Sequence, residues 1–195
     1  MPSSRKTYGQ FCALARVLDR IGERWTLLIV RELLVRPRRY LQLKAALPGI
    51  ATNLLAQRLR DLEADGIVAR DGDGTYALTS FGRGLAPAVR ELISWGARFM
   101  DEAARGDVFQ TQWLALALDA LLARRRAGCI ELRTGGEVMH IDRGRVRLGP
   151  CEQPRAVIES DPETILGVAA GRLPVKRLTI TGDADLVRDA LRQPA

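Results

Sequence analysis

The chain has 195 residues, 47% of them apolar, and a net charge of +7, which fits an ordinary soluble globular protein of one large domain or two small ones. The longest apolar run, "WLALALDALLA", is broken by Asp119 and is too short to span a bilayer, and the start "MPSSRKTYGQ" has no secretory core segment, so no membrane partner and a cytoplasmic location are expected. Three cysteines without CxxC spacing argue against a disulfide framework or a thiolate zinc site, and the single histidine, His140, argues against a His-based metal or catalytic cluster.

The positive charge is unevenly placed. Residues 1–100 hold 16 Lys/Arg against 9 Asp/Glu, whereas residues 101–195 hold 14 of each. A basic half beside a neutral half fits one module that meets a polyanion and one that does not, although a solvated basic surface would look the same.

In chain order, "YGQFCALARVL" (8–18) predicts a short helix. "GERWTLLIVRELLV" (22–35) predicts a second, with Trp25, Leu28, Ile29, Glu32 and Leu33 at helical spacing and Pro37 ending it. A third covers 39–46 and a fourth 51–65, stopped at Gly66. "GIVAR" and "TYALT" alternate like strands about "DGDG", a two-residue turn signal. A long helix follows over 80–103, and a break falls at 102–107. Beyond it come an apolar helix (108–126) and four strands, "CIELRT", "EVMHID", "RVRLG" and "RAVIES". Helices "PETILGVAAGRL" and "ADLVRDALR" then flank a strand "LTITG". The fold class is α+β, with domains at 1–104 and 105–195.

The fourth helix carries the chemistry. Leu55, Leu59 and Leu62 form a core stripe. Asn53, Gln57 and Arg60 fall opposite, with Arg58 and Thr52 on the flanks. Asn and Gln suit adenine edges and Arg suits guanine, while Thr52 at the helix start can reach phosphate or cap the helix. Arg36, Arg38, Arg39, Tyr40 and Lys44 just before it are phosphate-holding types on a helix that would cross the DNA backbone. An isolated amphipathic helix would mean little. The supporting helix, short turn, following hairpin and charge asymmetry together point to double-stranded DNA.

These residues resemble the HxlR family of bacterial winged helix-turn-helix regulators. The marks are Cys12, "IGERWTLLIVREL", the basic residues before "LPGI", "NLLAQRLRDLEADGIV", and "LTSFGRGL" after the hairpin, covering about residues 8–100. The resemblance implies a DNA-binding transcription regulator acting as a homodimer on an operator. The first and last helices of the domain would form the seam, and the two reading helices would lie about 34 Å apart. Ala51 stands where the family usually has serine before the reading helix, with Thr52 available in its place. The wing, "RDGDGTY", is short, and Asp71 and Asp73 near its tip would be repelled by phosphate, so weak wing contacts are expected. In some members of the family the cysteine matching Cys12 is a redox sensor, and Arg16 one turn along would favour its thiolate. The alternative is a small cysteine packing the dimer seam with Phe11, Leu14 and Ala15.

The second half resembles the end of the sterol-carrier-protein-like lipid-binding domain. Asp161 opens a helix, "ILGVAAGRL" follows, and a strand leads into "TGDADLVRDAL". The resemblance implies a twisted sheet with helices on one side, enclosing an apolar tunnel for a hydrophobic small-molecule effector. Trp113, Leu114, Leu118, Leu121, Leu166 and Leu173 are the residues to line such a space, or simply to fill a core. Cys129 and Cys151 are expected as core or strand residues, and Glu131, Glu137 and Asp142 as surface charges. No catalytic residue, metal site or cofactor is expected: "DGDG" is too short for a calcium loop, and no phosphate-loop motif is present. The alternative function is a lipid or hydrophobic-ligand carrier whose helix-turn-helix serves protein contacts. A thiol enzyme built on Cys12 lacks a partner base.

Overall fold

The computed structural model describes residues 7–100, 108–122 and 128–191. The chain divides into two compact units, Met1–Val89 and Arg90–Ala195. The break expected at 102–107 lies outside the described residues.

In the first unit, α1 spans Ala13–Ile21 rather than 8–18. Gly9 takes φ +65, and Asp19 accepts hydrogen bonds from the Thr7 hydroxyl (3.0 Å) and the Tyr8 N–H (2.9 Å), which holds the leading segment off the helix. Helix α2 (Thr26–Val35) starts late because Trp25 occupies the left-handed region at φ 77. A two-residue strand β1 (Arg38–Arg39), not foreseen, leads into α3 (Tyr40–Ala46). Helix α4 spans Thr52–Ala64, and Gly66, at φ +68, ends it by taking the backbone conformation other residues avoid. Leu55, Leu59 and Leu62 of α4 are buried with Ile29, Leu33, Leu43 and Ile50 as one core, as the periodicity requires.

Strands β2 (Val68–Arg70) and β3 (Thr75–Leu78) form the hairpin, and β1 adds to its far side in the order β1-β3-β2. The turn differs from the two-residue expectation. The Asp71 N–H donates to the Thr75 carbonyl (2.8 Å) and the Gly74 N–H to the Asp71 carbonyl (2.9 Å). Gly74 sits at φ +85, so three residues lie inside the closing pair, the geometry of a type I turn with a left-handed third residue. The helix expected over 80–103 is broken into α5 (Ser80–Arg83) and α6 (Ala86–Gly96), with a 3-10 turn at Ala97–Phe99; from Arg90 onward α6 and that turn belong to the second unit. Gly82 of α5 lies against the Ile67 carbonyl, where an added Cβ would come within 2.0 Å.

In the second unit, α7 (Trp113–Leu121) precedes β4 (Ile130–Thr134), β5 (Glu137–Asp142), β6 (Arg145–Leu148) and β7 (Ala156–Glu159). Helix α8 (Pro162–Ala169), β8 (Thr179–Gly182) and α9 (Ala184–Leu191) complete it. The sheet order is β6-β5-β4-β7-β8, with only the central β4–β7 pair parallel. Alternate residues of the strands (Ile130 and Leu132, Met139 and Ile141, Ala156 and Ile158) pack with α7, α8 and α9 into one core. Among the described residues no helix is long and apolar enough to cross a membrane.

Candidate nucleic-acid interface

The helix-turn-helix is built by α3, the turn over residues 47–51, and α4. The turn is held from three sides. Gly49 takes φ +87, and an added Cβ there would meet the Trp25 ring at 3.6 Å, so the strained residue that starts α2 backs the turn. The Lys44 ammonium donates to the Ile50 carbonyl. The Tyr40 hydroxyl donates to the Thr52 carbonyl at 2.8 Å. Ala51, not Thr52, is the N-cap of α4, and it offers no side-chain cap. The Leu54 N–H is taken by Asn53 Oδ1, and the N–H groups of Thr52 and Asn53 ahead of it face the helix start, where an outside acceptor could meet them.

The nine residues expected to touch DNA separate into two groups. Thr52, Asn53 and Arg60 are exposed along α4, Gln57 is half-buried on the same face, and Arg39 is exposed beside the hairpin. The other four are engaged in the fold. Arg38 turns inward, with Nη2 at 3.1 Å from Glu32 Oε2, and both side chains are buried. Arg58 bridges Glu23 (2.8 Å) and Asp61 (3.2 Å) and is largely covered. Lys44 and Tyr40 clamp the turn. Arg36 is half-buried at the end of α2.

On the outward face, the Gln57 side-chain amide donates from Nε2 to Asp61 Oδ1 at 2.8 Å and accepts at Oε1 from Arg60 Nη2 at 2.7 Å. Asn53 Oδ1 accepts from the Leu54 N–H at 2.9 Å. Asp61 is a residue that the sequence reading missed. Its spacing from Gln57, four residues, was the available signal.

The wing tip is less acidic in effect than its sequence suggests. Asp73 accepts from the Thr75 N–H and hydroxyl, both at 3.0 Å, and from Arg39 Nη2 at 3.1 Å. The Thr75 N–H foremost, then Arg39, holds its carboxyl below the usual carboxylate range. Arg70, also unremarked in the sequence, lies over the Tyr76 ring, its guanidinium carbon 5.5 Å from the centroid.

Cys12 is exposed, unpaired, and immediately precedes α1. The N–H groups of Ala15 and Leu14 lower its thiol pKa. Phe11, Leu14, Val17 and Leu18 around it are exposed, and so are Leu92, Trp95 and Phe99 along α6 and the turn that follows it.

In the second unit, Leu114, Leu118 and Leu166 are buried members of the core, and Leu121 and Leu173 pack against it. Trp113 is half-buried, edge-on to Phe109. Two expectations are corrected here. Cys129 and Cys151 form a disulfide, with Cα atoms 6.6 Å apart. Because β4 and β7 run parallel, residues 149–155 cross back over the sheet, and the Cys151 N–H bond to Glu131, whose neighbours Ile130 and Leu132 face the helices, puts that crossing on the opposite face. That crossing returns Cys151 to the start of β4. Glu131 is the second: it is buried rather than on the surface, its carboxylate accepting from the Cys151 N–H (2.9 Å) and Arg133 Nε (2.8 Å). Asp119, the break in the apolar helix, accepts from the Val146 N–H (3.2 Å) and pairs with Arg90 (3.3 Å) and Arg145 (3.5 Å).

A braced helix whose outer face bears Asn, Gln and Arg, followed by a two-stranded hairpin to which β1 adds a third strand, defines a winged helix-turn-helix of the DNA-binding kind. The HxlR-like helix-turn-helix model matches residues 20–104. The HTH-type transcriptional regulator YvaP of Bacillus subtilis is 35% identical over 92 residues, which is 44% of this chain and 85% of that protein. The regulator sll1512 of Synechocystis is 35% identical over 100 residues, 48% of this chain and 74% of that one. Among solved structures, quinone-bound YodB from B. subtilis aligns with 31% identity over 44% of this chain and 97% of its own, with a TM-score of 0.41. The chain belongs to the HxlR-like helix-turn-helix family.

Proposed function

We propose that the protein is a homodimeric transcriptional regulator that places α4 of each protomer in the major groove of an operator. The observation that carries this reading is the division of labour on the helix-turn-helix. Asn53, Gln57 and Arg60 face outward as base-reading types. Arg39 supplies a phosphate-holding cation at the rim. Arg38, Tyr40, Lys44 and Arg58 hold the scaffold that aims them.

Dimerisation is supported by the exposed apolar side chains of α1 and α6, which a lone chain would leave in water. Control through Cys12 is supported by its exposure and its stabilised thiolate. The second unit is read as a sterol-carrier-like domain, supported by a five-stranded sheet with its helices on one face. Leu114, Leu118 and Leu166 are packed in the core of that unit, so a hydrophobic effector would have to open that core to enter.

The test is a gel-shift series on the promoter of the protein's own gene at rising salt. Phosphate contacts give a steep, linear fall of log affinity with log salt. A chain that remains monomeric, or that ignores DNA at low ionic strength, rules the reading out.

A further inference from the structure

We propose that Asp61 is a positioning residue for sequence reading: together with Arg60 it fixes which way round the Gln57 amide points, and thereby makes adenine the base that Gln57 selects. This deepens the reading of α4 as the DNA-reading helix and rests on it.

A glutamine amide is nearly symmetric in shape but not in chemistry. One end donates and the other accepts, and a half-turn exchanges them. Adenine offers N7 as an acceptor beside N6 as a donor, so a bidentate contact needs the amide in one orientation. Free in solvent, the side chain would sample both. Here it cannot do so equally. At one end stands the Asp61 carboxylate, which only accepts, 2.8 Å from Nε2. At the other stands the Arg60 guanidinium, which only donates, 2.7 Å from Oε1. Turning the amide over would set oxygen against oxygen and N–H against N–H. Both native contacts are charge-assisted, the stronger class of hydrogen bond.

Each neighbour uses only half of what its end of the amide offers. One N–H of Nε2 and one lone pair of Oε1 stay free for a base. Asp61 itself is held: its second oxygen accepts from Arg58, whose other nitrogen is anchored on Glu23. The orientation is therefore set from the body of the domain, before DNA arrives, and the ordering cost at binding falls.

Asp61 has an opposing effect that makes the idea testable. A carboxylate on this helix repels phosphate, so its removal should raise affinity for DNA in general. Loss of selectivity alongside a gain in affinity is not the signature of a merely damaged helix.

The experiment is binding-site selection from a randomised duplex pool with the full-length wild type, Gln57→Ala, Asp61→Asn and Asp61→Glu, with a thermal melt of each. In the wild type, one position should show an adenine preference of about 5- to 150-fold, and Gln57→Ala should flatten that position. Asp61→Asn, whose amide can itself turn to meet either end of Gln57, should lose about fivefold or more of the same preference while binding mixed-sequence DNA more tightly. Asp61→Glu keeps an accept-only group and should restore the preference. If Asp61→Asn keeps the wild-type preference at the position Gln57→Ala flattens, the inference is overturned. It is equally overturned if selectivity is lost at every position together with the melting temperature. A wild type that selects no sequence defeats the reading of α4 itself, which is a different and recognisable result.

Discussion

Glu32, fully buried in α2, holds Arg38 of β1 at 3.1 Å. The pair also receives Arg31, whose Nη2 lies 2.8 Å from the same carboxylate. This ties the entry to the helix-turn-helix onto the second helix. Removing one partner of a buried ion pair strands the other charge, at a cost of about 3–5 kcal/mol. Glu32→Ala should therefore lower the unfolding free energy of the first unit by about that amount, read by denaturant unfolding. Arg38→Ala should weaken DNA binding only in step with lost stability. A loss of affinity at unchanged stability would return Arg38 to the phosphate-contact set.

Lys44 offers a second separation of holding from touching. Its ammonium closes the turn onto the Ile50 carbonyl. Lys44→Ala should lower the melting temperature and weaken binding to all sequences while leaving the salt slope almost as it was. Arg39→Ala should leave the melting temperature in place and reduce the slope by about one.

Helix α4 was legible because its three leucines, its polar face and its glycine stop all agree with one period. Several departures elsewhere share a cause: a partner distant in sequence. Strand β1 exists because Arg38 and Arg39 pair with Tyr76 and Thr75. The late start of α1 depends on Asp19 capturing Thr7 and Tyr8. Side-chain identity alone made Arg38 and Arg58 candidates for phosphate, and only the fold reveals that Glu32 and Glu23 claim them. The same holds for Glu131, whose alternation along β4 placed it outward but could not show the segment that crosses above it.

That crossing gives a prediction for the second unit. The Cys129–Cys151 bond closes a separation of 22 residues. On the chain-entropy account a loop of that size contributes about 3 kcal/mol. Cys151→Ser, or reduction of the Cys12→Ser variant, should destabilise the second unit by about that amount, with faster amide exchange near residues 149–155. The first unit should keep its exchange pattern. The pairing leaves Cys12 as the single free thiol of the native protein; three free thiols, or two in Cys12→Ser, counted by alkylation and mass, would contradict it.

The wing makes a pH prediction. Asp73 is held below the usual carboxylate range by the Thr75 N–H first and Arg39 next. A group whose folded value is depressed contributes its stability in full above its unfolded value, and loses it as pH falls through the folded one. The Thr75 amide resonance should accordingly stay put from neutral pH down through the ordinary aspartate range, and shift only below it. Asp73→Asn should abolish that shift, free Arg39, and raise affinity for DNA of any sequence with a steeper salt dependence.

Cys12 stands where two demands meet. The N–H groups of Ala15 and Leu14 favour its thiolate, with Ala15 the larger influence. Its exposure lets an oxidant or a second thiol approach. Since the shift is downward, the pH profile of its alkylation by iodoacetamide should have its midpoint below that of an ordinary free cysteine, about 8.5. In a denatured chain the midpoint should return to that ordinary value. If Cys12 controls the protein, a thiol oxidant should change wild-type DNA affinity, and Cys12→Ser should bind DNA as the reduced wild type does but no longer respond. A response that survives in Cys12→Ser would assign the control elsewhere, with the Cys129–Cys151 pair the next to be removed.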